Sequence, residues 1–164
     1  MIHAQATFGG IGEACVTAIE GLNVMYDEDL IGNAERVGSY LIERLNELKA
    51  KYPQIIKDVR GSGFMVGLEF QDFSQTLPAL LRPMVALLDD KLKGSLSGFV
   101  GAELLRDHNV LVAFTEYNRN VIRLEPPLVC GPEHVDEFIA ALDAVLGRGI
   151  VRIVRDFIGS QTKK

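Results

Sequence analysis

The chain has 164 residues, 48% hydrophobic and 24% charged, which suits one domain and can enclose a core without metals or disulfides. A formal net charge of -5 and a pI near 5.2 leave no basic stripe, which excludes nucleic acid and an anionic membrane surface as natural partners. Cys15 and Cys130 are too few for a disulfide framework and lack zinc-site spacing; with no bilayer-spanning apolar run and no signal-like start, the chain reads as cytoplasmic, its thiols reduced and largely buried.

The start carries a glycine turn at Gly9 and Gly10, after which Cys15, Ala18, Ile19, Leu22 and Met25 recur at helical spacing. Gly12, Ala14, Ala18 and Gly21 keep this helix thin, so another backbone can approach it closely. Asp27, Glu28 and Asp29 offer capping oxygens to a second helix with the stripe Leu30, Ala34, Val37, Leu41, Leu45, Leu48 and Tyr52, supported by a Glu47 to Lys51 pair and stopped by Pro53. Ile55 to Arg60 and Phe64 to Phe70 read as strands joined at Gly61-Ser62-Gly63. Leu77 to Leu88 fits an amphipathic helix interrupted by Pro83, and Gly94 to Gly98 reads as a flexible break. A short helix from Val100 to His108 leads to a strand pair, Val110 to Phe114 and Val121 to Leu124, across a polar turn. Gly131 as cap and Pro132 as first helical residue open a further helix, and Ile150 to Ile158 forms a last apolar face. The order does not alternate strand and helix, which predicts an α+β layer with helices on one face of a small mixed or antiparallel sheet.

Three places could carry chemistry. Thr7-Phe8-Gly9-Gly10 before a helix suits an anion, because glycines admit the backbone and the hydroxyl and amides donate; the same turn also serves as a plain helix entry. Arg123, in Val121-Ile122-Arg123-Leu124-Glu125-Pro126-Pro127-Leu128, carries a planar fork suited to a carboxylate; an internal pair with Glu125 or Glu69 is the competing use. Arg60, beside Gly61 and Gly63, could meet an anion or a neighbouring subunit, although turn and packing glycines explain that segment as well. His3, His108 and His134 lack metal-ligand spacing, while Glu103 and Asp107 read as a solvated helix face.

Together and in this order, Thr7-Phe8-Gly9-Gly10 with Ala14-Cys15, Asp58-Val59-Arg60-Gly61-Ser62-Gly63-Phe64-Met65 and Ile122-Arg123-Leu124-Glu125-Pro126-Pro127-Leu128 resemble the C-terminal third of class III aminotransferases, the group of ornithine, acetylornithine and putrescine aminotransferases. The resemblance implies a fold type I enzyme that uses pyridoxal phosphate to move an amino group between an amino acid or diamine and a 2-oxo acid. Residues 1–26 then form a cofactor-loop remnant and linking helix, 27–147 the small domain with an inserted segment at about 71–98, and 148–164 a helical tail. Thr7, Gly9 and Gly10 would hold the cofactor phosphate of a second subunit in a homodimer, and Arg123 would face the substrate carboxylate. The family's lysine, which carries the cofactor and moves the proton, precedes the threonine motif, so no catalytic residue is expected in this chain and the chain alone is expected to be inactive without its large domain. Ile11-Gly12-Glu13 departs from the usual asparagine-led continuation, and Ala6 stands where many relatives have a second hydroxyl, which places more weight on Thr7. A stand-alone interaction or regulatory domain that kept the fold without catalysis is the alternative. A dinucleotide loop at Gly10-Ile11-Gly12 lacks its third glycine.

Overall fold

The computed structural model describes residues 11–72 and 96–161; the Thr7-Phe8-Gly9-Gly10 turn, the expected helix at Leu77 to Leu88 and the last three residues lie outside them. Helix α1 (Gly12–Asp27) is followed by α2 (Leu30–Lys51), strands β1 (Ile56–Ser62) and β2 (Met65–Phe70), helix α3 (Leu96–His108), strands β3 (Ala113–Phe114) and β4 (Val121–Leu124), and helices α4 (Pro132–Leu146) and α5 (Ile150–Gln161). The strands form one antiparallel sheet in the order β1-β2-β4-β3. This is the α+β arrangement expected from the element order, with the helices on one sheet face.

Strand alternation decides which face is buried. Val66, Leu68 and Phe70 on β2 and Ile122 and Leu124 on β4 point to the helices and are buried; they meet Leu41, Leu45 and Leu48 of α2, Phe99 and Leu104 of α3, and Leu142 and Val145 of α4. Each such apolar side chain contributes roughly 1.5–3 kcal/mol by leaving water. The opposite face bears Arg60, Gly67, Glu69 and Arg123 and carries no helix among the described residues.

The hairpin is tighter than the glycines suggested. The β1–β2 ladder runs to Ser62 opposite Met65, so Gly61 and Ser62 belong to the strand and only Gly63 and Phe64 turn. Gly61 is required there: its φ is +155°, and a Cβ would stand 2.2 Å from the Met65 carbonyl oxygen.

Other expectations are corrected by tertiary contacts. Asp29 sits at the N-cap of α2 in a left-handed conformation (φ 49°) and makes no side-chain cap; its carboxylate pairs with Arg36 at 2.9 Å. Lys51 does not pair with Glu47 but crosses to Asp143 on α4 at 2.7 Å, where the Tyr52 hydroxyl also donates at 2.7 Å, while Glu47 takes Arg44. Leu96 to Gly98 is the first turn of α3 rather than a break: Leu96 is buried, its N–H donates to Asn120 Oδ1 at 3.0 Å, and Ser97 donates to the Arg119 carbonyl. Of Val110 to Phe114, only Ala113 and Phe114 join the ladder. Cys15 is exposed, because α1 buries none of its residues and leaves Val16, Ile19 and Leu22 more than half exposed, and Cys130, in the loop before α4, is half-buried.

Glu103 overturns the solvated-face reading most clearly. It is fully buried, with one carboxylate oxygen 2.6 Å from Arg106 and the other 2.7 Å from Arg148 in the α4–α5 connection; Asp107 meets the same two arginines at 2.8 and 2.7 Å. Hydrogen bonds first from Arg106 and then from Arg148 hold the Asp107 carboxyl well below the usual range. A depressed folded-state pKa gives stability that is present above the unfolded value of about 3.9 and is lost as pH falls toward the folded value. Urea midpoints are therefore expected to drop from about pH 5 to pH 2, and Asp107→Asn to flatten that slope; an unchanged slope would remove Asp107 from the account.

Candidate functional site

The site is built on the uncovered sheet face and the loop that leaves it. Arg123 is the third residue of β4, opposite Gly67 on β2 and Ala113 on β3, and its buried neighbours Ile122 and Leu124 fix the strand so that its side chain projects away from the helices. That side chain is 50% exposed, and its Nε lies 3.1 Å from Glu125 Oε1. Of the two internal partners considered from sequence, Glu125 is therefore the one used. Glu69 is taken at 2.7 Å by Lys57 and at 2.6 Å by Arg60, and these hydrogen bonds, that of Lys57 foremost, lower its pKa below the ordinary glutamate value. Arg60 also meets Asp58 at 3.0 Å, so its fork is engaged by this chain's own carboxylates.

Beyond β4 the chain enters Glu125-Pro126-Pro127. A residue before proline is held extended, so Glu125 continues the strand alternation and emerges on the same face as Arg123. A groove of about 520 Å³ opens here, with Arg123, Glu125, His134 and Glu137 among its polar lining and Val112 and Phe138 among its apolar lining. Glu125 and Pro126 also line a second groove of about 590 Å³, which reaches Met25 and Met65. His134 is tied to helix entry: its Nδ1 accepts from the Gly131 N–H at 3.1 Å.

Sequence reasoning missed Asn33. Its Nδ2 donates to the carbonyls of Leu128 at 2.7 Å and Cys130 at 3.0 Å, fastening the loop after the diproline to α2. A signal was present: Asn33 lies three residues after Leu30 and four before Val37, on the apolar stripe, where a polar group must find a partner. Asn33→Ala is expected to cost about 1–2 kcal/mol in urea unfolding, because two half-buried carbonyls lose their donor; a cost within about 0.3 kcal/mol would mean that the Pro-Pro segment holds itself.

Pyridoxal phosphate needs a lysine of depressed pKa in a dry pocket and a cradle for its phosphate. The described residues do not fit the first need. Lys49 pairs with Asp58 at 3.4 Å, Lys57 with Glu69 at 2.7 Å and Lys51 with Asp143, whose hydrogen bond raises the Lys51 pKa instead of lowering it. Thr7, Gly9 and Gly10, the phosphate candidates, lie outside the described residues, as do Lys91, Lys93, Lys163 and Lys164.

A helix-backed antiparallel sheet that presents an arginine and a diproline loop on its open side, preceded by an exposed helix, defines a class of α+β domain. Within that class, residues 3–146 match the family Aminotransferase class-III, and the chain belongs to it. It is 30% identical over 173 aligned residues to aminotransferase PigE of Serratia sp. (strain ATCC 39006), covering 88% of this chain and 20% of that protein. Among solved structures it is similar to a Bacillus anthracis aminotransferase, with TM-score 0.67 and 26% identity over 90% of this chain and 31% of the other. The acetylornithine aminotransferase of Elizabethkingia anophelis shares the fold, with TM-score 0.68 and 24% identity over 90% of this chain and 31% of that one. The chain thus spans about a fifth of PigE and three tenths of these solved chains. Among the described residues no helix is long and apolar enough to cross a membrane.

Proposed function

We propose that this chain is the C-terminal, small-domain part of a pyridoxal-phosphate-dependent aminotransferase of the ornithine, acetylornithine and putrescine group. In that reading it serves transfer of an amino group between an amino acid or diamine and a 2-oxo acid. The observation that carries it is the placement of Arg123. The guanidinium stands on the open sheet face, half exposed, held by one carboxylate through Nε, and among the described residues its terminal N–H groups meet no acceptor. A planar cation so presented suits a substrate carboxylate.

When bound, the cofactor would supply the electron sink for the amino-group chemistry. This chain's own part is to bind and orient: Arg123 fixes the carboxylate, Asn33 and the diproline hold the loop beside it, and Thr7, Gly9 and Gly10 contribute to the phosphate of the second subunit. The catalytic lysine and the large domain are supplied from outside these residues, and the exposed Val16, Ile19 and Leu22 of α1 are the contact for them. The division at residues 26 and 147, the dimer and the cytoplasmic setting belong to the same reading.

The purified chain, mixed with pyridoxal phosphate and reduced with borohydride, is expected to give no stoichiometric lysine adduct and no transamination. Addition of a lysine-bearing large domain is expected to restore both, and Arg123→Met in that mixture to weaken a carboxylate substrate about a hundredfold. A single saturable adduct on one lysine of the chain alone would overturn the division of labour. A fully active Arg123→Met variant would overturn the role of Arg123.

A further inference from the structure

The connection after α4 and the first turns of α5 carry a surplus of cations that the rest of the chain lacks. From Arg148 onward the sequence holds five basic residues and one acidic, against 12 basic and 21 acidic before it. Three of those cations, Arg148, Arg152 and Arg155, line one groove of about 620 Å³ together with Gln54 and the buried Ile55 at the entrance to β1. This groove shares no lining residue with the one at Arg123, and its three arginines follow residue 146, where the match to the family ends.

The chain's own carboxylates do not saturate these guanidinium groups. Glu103 and Asp107 both reach Arg148 through the same Nη1, at 2.7 Å each, so its Nε and Nη2 meet no acceptor among the described residues. Asp156 alone serves the other two: it lies 3.3 Å from Arg155 Nε and 3.6 Å from Arg152 Nε, the second too long for a hydrogen bond. The Arg152 and Arg155 side chains are 62% and 67% exposed, and forked donors so presented suit carboxylates. These two stand one turn apart, about 4.5 Å along the helix axis. With Arg148 at the helix entrance, the cations form a row longer than one small anion, which fits several carboxylates on one backbone. Two other polyanions fit less well. Ile153, on the apolar side of α5, is fully buried in the core, so that side is committed inward and does not enter a bilayer. A nucleic acid would run from this short row onto a surface where acidic residues outnumber basic ones.

We propose that the groove between α5 and the entrance to β1 docks a short acidic peptide segment of a partner protein, its carboxylates taken by Arg152, Arg155 and the open edge of Arg148. The docking is independent of the role given to Arg123 and gives the residues beyond the family match a function of their own.

The test is a titration of the 15N-labelled full chain with capped hexaglutamate, following the arginine Nε–Hε resonances, with capped hexaglutamine, a ten-nucleotide single-stranded DNA and phosphatidylserine vesicles run at the same ionic strength. Hexaglutamate is expected to saturate and to move Arg152 and Arg155 while Arg123 stays in place; hexaglutamine is expected to move neither. The double variant Arg152→Gln, Arg155→Gln is expected to weaken hexaglutamate about five- to tenfold, the range two exposed ion pairs supply, and Arg36→Gln, an exposed arginine on α2, by less than about twofold. Both glutamines of the double variant stand at solvated positions, and an unchanged urea midpoint separates lost binding from lost folding. Absence of saturable hexaglutamate binding would overturn the proposal. So would an equal loss in Arg36→Gln, which would mean diffuse charge attraction. DNA or vesicles that move the same two resonances at lower concentration than hexaglutamate would overturn the acidic peptide as the partner.

Discussion

Gly38→Ala is expected to lower the unfolding free energy by about 2 kcal/mol or more, although alanine is the better helix former by up to about 1 kcal/mol. Gly38 lies inside the 22-residue α2, and a Cβ there would stand 2.2 Å from the Gly63 carbonyl oxygen, 2.4 Å from its carbon and 2.7 Å from its Cα. All three are backbone atoms of the hairpin turn, so no flexible side chain can yield. Relief requires the turn to lift from α2, and β2 carries Gly67, the residue opposite Arg123, on the same hairpin. The variant should therefore lose stability and also shift the Arg123 side-chain resonance. Gly21→Ala is the matched control: nothing lies within 4 Å of its added Cβ, so helix propensity alone acts and the change should be neutral or stabilising by up to about 1 kcal/mol. Equal urea midpoints for the Gly38→Ala and wild-type chains would mean that the hairpin is not pinned on α2.

Glu103→Ala is the second large effect. Glu103 is fully buried and receives Arg106 and Arg148, which are 44% and 27% exposed. Removing one partner of a fully buried pair costs about 3–5 kcal/mol; here both arginines reach water and keep Asp107, so about 2 kcal/mol is expected. The location of the loss is more diagnostic than its size. Arg148 lies in the connection between α4 and α5, and Glu103 ties that connection to α3. Amide exchange should accelerate in α5 and the last turn of α4, with Leu45 and its neighbours in α2 still protected. A cost under about 0.5 kcal/mol, or exchange that rises uniformly, would show that Asp107 alone holds the connection.

Much of the domain was legible in the chain. The stripe from Leu30 to Leu48, stopped at Pro53, gave α2, and the short run Phe64 to Phe70 beside Gly61-Ser62-Gly63 gave β2, because such patterns are local properties of the chain. The Gly131-Pro132 start of α4 was likewise local. Ion-pair partners were legible only as alternatives. Arg123 could have met Glu125 or Glu69, and the β1–β2 register decided it by bringing Lys57 and Arg60 to Glu69. Lys51 had a suitable glutamate one turn away and bonded across to Asp143 instead, because α4 packs beside α2.

By itself the sequence determined most of the described elements, the α+β order and the family, since each follows from patterns within a few residues or from motifs in a fixed order. Only the tertiary structure decided that Glu103 is buried, that Asn33 fastens the diproline loop, that Gly38 touches Gly63 and that Glu125 occupies one edge of Arg123. Burial, steric contact and charge pairing depend on distances through space. Asn33 is fastened to residues 95 and 97 positions away, Arg148 meets a carboxylate 45 positions away, and no local pattern encodes such separations.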